Sequence, residues 1–408
     1  MNYNKKNIRD IDVAGKKILM RCDFNVPYDK KTGEILDDTR IVATIPTIRY
    51  LLDQNCAVIL TSHLGRPKGE WKKENSLYSA REHLEKLLGI PVPMTTDVVG
   101  PNTKEMAANL QPGQVMLVEN LRFRKEEEKN DPEFSKELAS LADIFVFDAF
   151  GCSHRAHAST AGVADYMPAV AGFLVEKELE IMGGALENPQ RPLVSILGGA
   201  KVADKIGVIN NLLNIADTII IGGGMAYTFQ KALGGDIGDS LLDEDRLNYA
   251  RNMVSLAEEK GVKLLLPVDN KITKEFSGDA EYQVVTAGEI PDGWMGMDIG
   301  PKTVELYTEA LKDAGTVIWN GPMGVFEFDT FAEGTNAIAK ALANLEGSIT
   351  IVGGGDSAAA VEKSGLADKI SHISTGGGAS LEFLEGLALP GVVCLNDKYD
   401  GWGQADHI

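Results

Sequence analysis

The stretch "DTIIIGGGMAYTF", residues 217–229, passes from a short apolar run through three consecutive glycines into a helix-like segment. Two further stretches repeat the arrangement, "SITIVGGGDSAAAVEK" (348–363) and "SHISTGGGASLEFLEG" (371–386). Glycine loses more conformational freedom on ordering than any other residue, so a fold gains nothing from tripling it without a geometric need. In an open parallel sheet, ligands sit beyond the carboxyl ends of the strands, where the next helix begins. A glycine turn there lets the backbone approach a phosphate, and the helix N-terminus offers free N–H groups with partial positive charge. One isolated triplet also reads as a plain tight turn. Three of them, each closing an apolar run, point to a polyphosphate site.

The same alternation extends in both directions. Candidate strands are "KILMRCDF" (17–24), "CAVILTS" (56–62), "QVMLVENL" (114–121), "DIFVFDAF" (143–150), "PLVSILGG" (192–199), "VKLLLPVD" (262–269) and "GTVIWNGP" (315–322), besides the three that end in glycine triplets. They are short, continuous and rich in Val and Ile, as strands buried on both faces of a parallel sheet are. Between them lie helical patterns. In "SLYSAREHLEKLLG" (76–89), Leu77, Ala80, Leu84, Leu87 and Leu88 share a face and Gly89 suits a C′ position. In "DPEFSKELASLA" (131–142), Asp131 fits an N-cap with Pro132 at N1. The expected fold is α/β, with two doubly wound, mainly parallel sheets.

The expected boundary is a helix in "AGFLVEKELEIMGGALENPQRP" (171–192), ending at Gly183–Gly184 or running on to Asn188–Pro189. The expected domains are residues 1–170 and 188–389, joined by a connecting helix at 171–187, with the tail 390–408 packed back on the first.

The chain has 408 residues, 44% of them hydrophobic and 24% charged, which suits two globular domains and argues against disorder. Its net charge of −19 speaks against nucleic acid or an anionic membrane as partner, because both require a basic face. No apolar run is long enough to span a bilayer, and "MNYNKKNIRDID" has no apolar segment behind its basic residues. Cys22, Cys56, Cys152 and Cys394 are scattered without a CxxC pair, so no disulfide framework or structural zinc is expected. These features lead us to expect a cytoplasmic location.

The phosphate motif is not a common one. GxxxxGK[ST] and the HRD…DFG set are absent. "GGGDSA" (353–358) satisfies the loose dinucleotide form GxGxxA, but the next strand ends in Ser374–Thr375 where that fold wants an acidic residue. In "GGAKVADKIG" (198–207), Lys201 and Lys205 are four apart and are expected on one helix face, where an anion would relieve their repulsion. A solvated helix face accounts for either lysine alone. Asp356 reads as an N-cap and, beside a polyphosphate, as a Mg²⁺ ligand.

The N-terminal half carries a different signal. Arg21, His63, Arg66, Arg122, His154, Arg155 and His157 all fall at the carboxyl ends of expected strands, and Arg40 follows in "DDTRIVATIP". A single such residue is ordinarily a surface or structural group. A ring of them at one sheet edge of an acidic protein reads as an anion pocket, and the arginine fork suits carboxylate and phosphate.

Taken together, "KILMRCDFNVP", "SHLGRP", "ENLRF", "DAFGCSHRAHAS", "GGAKVADKI", "IIGGGMAYTF", "WNGPMGVFE", "GGGDS" and "STGGGASLEFLEG" resemble the phosphoglycerate kinases, in that family's order, from about residue 5 to about 398. The resemblance implies two lobes with a cleft between them, the first for 3-phosphoglycerate and the second for MgATP or MgADP. It implies that Asp23, Asn25, Arg40, His63, Leu64, Gly65, Arg66, Arg122 and Arg155 surround the phosphoglycerate. Arg40, Lys201, Lys205 and Gly376 would serve the transfer itself, the glycines from Gly376 aiming a helix N-terminus at the reaction centre. Lys205, Gly354, Gly355, Asp356 and Ser357 would hold the nucleotide phosphates, with Asp356 on Mg²⁺, Glu327 on the ribose and Gly296 beside the adenine. The family also implies reversible transfer after lobe closure, a monomer, and small-molecule partners only. Two departures stand out. Cys152 occupies a position where many relatives carry Thr or Ser, and "NDKYDGWGQADHI" (396–408) runs past the usual end of the family.

Overall fold

A computed structural model describes residues 3–398. The described residues divide into two compact units, one comprising residues 3–180 together with 388–398, the other Ile181–Leu387.

The first unit is built on β1 (Lys17–Arg21), β2 (Ala57–Thr61), β3 (Val115–Leu117), β4 (Ile144–Phe147) and β5 (Ala169–Ala171), an all-parallel sheet in the order β3-β2-β1-β4-β5. Its helices are α1 (Thr39–Asp53), α2 (Tyr78–Leu88), α3 (Pro101–Asn109), α4 (Pro132–Ala139) and the start of α5 (Phe173–Glu187). β2 is buried at all five positions, because helices cover both faces of a parallel sheet. Ile18, Met20, Val58, Leu60, Val115, Leu117 and Val146 pack against Ile41, Ile48 and Leu51 of α1 and Leu84 of α2 in one core. Each fully buried aliphatic side chain contributes roughly 1.5–3 kcal/mol. Gly89 ends α2 in the left-handed conformation, φ 70°, and Asp131 caps α4 by accepting the Phe134 amide at 3.0 Å. The segment before Lys398 lies against this unit. Lys6 N–H donates to the Asn396 carbonyl at 2.8 Å, and Ala169 N–H donates to Asn396 Oδ1 at 2.8 Å. Most of the tail in question, residues 399–408, lies outside the described residues.

The second unit holds β6 (Leu193–Leu197), α6 (Ile206–Leu212), β7 (Thr218–Ile221), α7 (Met225–Ala232), β8 (Asp236–Ile237), α8 (Leu247–Glu259) and β9 (Lys263–Leu265). Then follow β10 (Asp269–Thr273), β11 (Tyr282–Thr286), β12 (Glu289–Ile290), β13 (Met295–Ile299), α9 (Pro301–Leu311), β14 (Thr316–Asn320) and α10 (Glu333–Ala343). β15 (Ile349–Gly353), α11 (Gly355–Ser364), β16 (His372–Ile373) and α12 (Gly378–Leu384) complete it. Its main sheet is parallel, ordered β16-β15-β14-β6-β7-β9, around a core of Val194, Ile196, Val317, Trp319, Val352, Tyr307 and Leu342.

The connecting helix does not stop at Gly183–Gly184; α5 runs on to Glu187. The antiparallel sheet β11-β10-β13 was not anticipated. "VKLLLPVD" was read as one strand, whereas β9 ends at Leu265 and the chain turns into β10 at Asp269. β11 is mostly exposed and lacks the apolar run on which the strand assignments depended.

Candidate active site

In each main sheet the chain leaves a central strand in one direction and later returns to its other side, and loops diverge at such a switch point. In the first unit this happens between β1 and β4. The residues gathered there come from the loops after β1, β2, β3 and β4 and from the start of α1. Arg40 Nη1 donates to the Asn25 carbonyl at 2.8 Å and lies 3.4 Å from Asp23 Oδ1. Asn25 Oδ1 accepts the Gly65 amide at 2.9 Å, and Arg122 Nη1 donates to the Gly65 carbonyl at 3.1 Å. Gly65 has φ +63°, and a β-carbon there would strike the Asn75 side chain. The Leu64 carbonyl accepts from the side-chain amides of Asn120 at 2.7 Å and Asn75 at 3.2 Å, so the 63–66 loop is held from beneath.

His63 is buried, and its Nδ1 lies 2.8 Å from Arg21 Nη2. Burial, reinforced by Arg21, Arg122, His157 and Arg40, holds its pKa well below the usual histidine value, so the ring is neutral. His157 is lowered to about 4, first by burial and then by Arg122, Arg21 and Arg155. The Arg40, Arg66 and Arg155 side chains are exposed. Ligand atoms of Asp23, His63 and Cys152 lie within 4.8 Å of one another, a spacing that could suggest a cation. The surrounding guanidinium groups repel one, and burial pushes the Cys152 thiol up to about 12, far from the thiolate a metal needs. The chemistry of this lining suits an anion better than a cation.

In the second unit the switch point lies between β6 and β14. A cavity of about 560 Å³ opens there, lined by Gly199, Ala200, Gly223, Gly224, Pro322, Gly324 and Asp356, with Leu241, Phe276, Met295, Val325 and Phe328 supplying apolar surface. The middle residue of every glycine triplet has positive φ: Gly223 +69°, Gly354 +89° and Gly377 +50°. That is the geometric need behind the repeated pattern, since other residues enter this region at a cost. A β-carbon on Gly223 would also meet the Gly199 and Pro322 backbone. Lys205 donates from Nζ to Asn320 Oδ1, and burial lowers its pKa against the opposing pull of Asp204, Asp356 and Glu385.

A model of the phosphoglycerate kinase family matches residues 8–387. The chain belongs to the phosphoglycerate kinase family. Phosphoglycerate kinases of three strains of Clostridium perfringens are 59% identical over 401 residues, covering 98% of this chain and all of theirs. The solved phosphoglycerate kinase of Coxiella burnetii superimposes with a TM-score of 0.90 at 43% identity, over 96% of this chain and 98% of that one. That of Pyrococcus horikoshii gives 0.81 at 33% identity, over 97% and 99%. The kinase therefore transfers a phosphoryl group between ATP and the carboxylate of 3-phosphoglycerate, a reaction of glycolysis.

Several residues of this kinase are placed otherwise than their sequence pattern predicts. Lys201 and Lys205 do not share an α-helix face: Val202–Lys205 forms a 3₁₀ turn, and α6 begins at Ile206. Lys205 reaches Asn320 while Lys201 is exposed. Asp356 is not an N-cap, since Gly354 holds that position and Asp356 stands exposed in the first turn of α11. Ser357 is buried and its Oγ accepts the Gly321 amide at 2.5 Å, so its side chain braces the β14 turn. The Gly376 amide donates to Ser374 Oγ at 3.1 Å, and α12 starts only at Gly378. Glu327 and Gly296 both line the cavity. Sequence reasoning overlooked Asn320, Ser159 and Glu127, and also Leu241 and Phe276 in the cavity wall. None carries a local signal, because each acquires its role from a partner at least 30 residues away, or from a wall assembled from several loops.

Proposed function

We propose that the arginine-lined site of the first unit takes 3-phosphoglycerate and the glycine-lined cavity of the second takes the magnesium nucleotide. The observation that carries this reading is the contrast between the two switch points. One is lined by charged side chains, suited to a small carboxylate and phosphate. The other is lined by backbone and apolar side chains, suited to a base and a polyphosphate chain.

In this reading Arg122, Arg155, Arg66, Asn25, Asp23 and His63, with the loop at Leu64–Gly65, orient the phosphoglycerate. The attacking carboxylate is already ionised at neutral pH, so no general base is required. Phosphoryl transfer then depends on alignment and on cancelling charge at the equatorial oxygens. Arg40 and Lys205 supply that charge, with Lys201 nearby in sequence and the 376–378 turn contributing amides. Gly354, Gly355 and Ser357 shape the phosphate path, Glu327 meets the ribose and Gly296 borders the adenine. Asp356 fits Mg²⁺, being an exposed carboxylate on the cavity wall; the ion supplies charge neutralisation on the phosphates. Direct in-line transfer requires the two sites to face each other, so turnover includes closure of the lobes. The kinase works as a cytoplasmic monomer; among the described residues no helix is long and apolar enough to cross a membrane.

Calorimetric titration of two variants tests the assignment. Arg122→Ala should weaken 3-phosphoglycerate binding and leave MgADP binding unchanged, and Asp356→Asn should do the reverse. If either variant affects only the ligand assigned to the other unit, the placement is wrong. Solution scattering with both ligands bound should show a smaller radius of gyration than the free protein, and an unchanged profile would remove the closure step.

A further inference from the structure

A buried chain of polar groups stands behind His63. Arg21, the last residue of β1, is fully buried. Its Nε donates to Ser159 Oγ at 2.8 Å, its Nη1 donates to the Cys22 carbonyl, and its Nη2 lies 2.8 Å from His63 Nδ1. Ser159 Oγ donates in turn to Glu127 Oε2 at 2.5 Å, and the Ser159 amide donates to Glu127 Oε1 at 2.8 Å. Glu127 is also fully buried.

The direction of every bond in this chain is set by chemistry. A guanidinium has donors only and stays protonated, so Nδ1 of His63 accepts. The ring is neutral, which leaves its one proton on Nε2. The Ser159 hydroxyl has a single proton, and Glu127 takes it. The Glu127 carboxylate also offsets the Arg21 charge in a place where a lone buried charge would be costly.

We propose that Arg21 and Glu127, coupled through Ser159, are positioning residues that lock His63 as its Nε2–H tautomer, so that the ring donates a hydrogen bond to bound 3-phosphoglycerate. The proposal rests on the arginine-lined site being the phosphoglycerate site. Carboxylate and phosphate oxygens only accept, so a ring presenting a bare Nε2 lone pair would repel them. A neutral donor also adds no further cation to a pocket already crowded with arginines.

The test uses the full chain with ¹⁵N-labelled histidine. Long-range ¹H–¹⁵N correlation of the free protein should show His63 with a bare Nδ1 and a protonated Nε2 from pH 8 down to about 5.5. Addition of 3-phosphoglycerate should shift the Nε2–H resonance. The paired variant Arg21→Gln/Glu127→Gln, which leaves no unpaired buried charge, should show mixed tautomers. Its KM for 3-phosphoglycerate should rise about 10–100-fold, the range for a lost hydrogen bond to a charged group, with kcat changed less than threefold. If that variant does not fold, Ser159→Ala provides the same readouts with a smaller KM rise. A protonated Nδ1 or an imidazolium in the native protein at pH 7 overturns the proposal, as does a variant with mixed tautomers and unchanged KM. Failure of the site assignment is a separate result: Arg122→Ala would then leave phosphoglycerate binding intact while the His63 tautomer stayed as described.

Discussion

Gly198 and Gly321, at the ends of the neighbouring strands β6 and β14, approach so closely that neither position admits a β-carbon. A methyl on Gly198 would meet the carbonyls of Gly321 and Pro322, and one on Gly321 would meet Gly198 itself. Backbone cannot swing aside as a flexible side chain can. Gly198→Ala should therefore cost about 3 kcal/mol of stability and raise the KM for MgATP, because Gly199 and Pro322 line the cavity. Thermal unfolding and steady-state kinetics check both effects, and a variant with native stability would show that the two turns are not in contact.

Lys205→Ala and Arg40→Ala should each lower kcat about 10²–10³-fold, the usual consequence of removing one preorganised donor to developing charge. Arg40 is exposed, so its loss should change stability by less than about 0.5 kcal/mol. Circular dichroism melts beside a coupled assay for ADP formation separate a catalytic loss from a folding defect.

Asp148 is fully buried at the end of β4, where its Oδ1 accepts the amides of Leu174 at 2.9 Å and Val175 at 3.4 Å at the start of α5. Burial raises its pKa to about 7 against an ordinary 3.8. A folded-state pKa above the unfolded value means that the folded chain holds the proton more tightly, so this contribution to stability is full below about pH 4 and is lost as pH rises to about 7. Asp148→Asn should flatten that slope and stabilise the protein at pH 8 by up to about 4 kcal/mol, as read from urea unfolding across pH. An unchanged slope would locate the proton elsewhere.

His157 titrates in the opposite sense. Its folded pKa is lowered to about 4 from 6.5, so its contribution is full above about pH 6.5 and is lost as pH falls toward 4. His63, also held down by burial, adds to the same slope. His157→Gln should recover up to about 3 kcal/mol at pH 4.5. Between pH 5 and 6.5 the rise in stability contributed by His157 and His63 opposes the fall contributed by Asp148 and by Asp298, whose carboxyl burial also raises to about 7.

Much of the fold was legible in the chain because buried parallel strands leave continuous Val- and Ile-rich runs, and Asp131–Pro132 and Gly89 mark helix ends through local chemistry. The gathering of Arg122 and His63 at one edge was legible for a related reason: both follow strands, and strand ends in a parallel sheet share one edge. The antiparallel sheet was not, because β11 alternates neither in pattern nor in burial. The 3₁₀ turn at Val202–Lys205 was missed because four-residue spacing suggests an α-helix whether or not one forms.

Sequence alone therefore determined the strand-and-helix alternation, the residue types at the sheet edges and the glycines whose left-handed turns no other residue adopts cheaply. Those properties depend on neighbours a few positions away. Only the tertiary structure decided that β1 meets β4 and β6 meets β14, that Lys205 reaches Asn320, and that Arg21 stands between His63 and Ser159. These contacts join residues 42 to 138 positions apart, and packing of the core, which local propensity does not encode, selects them.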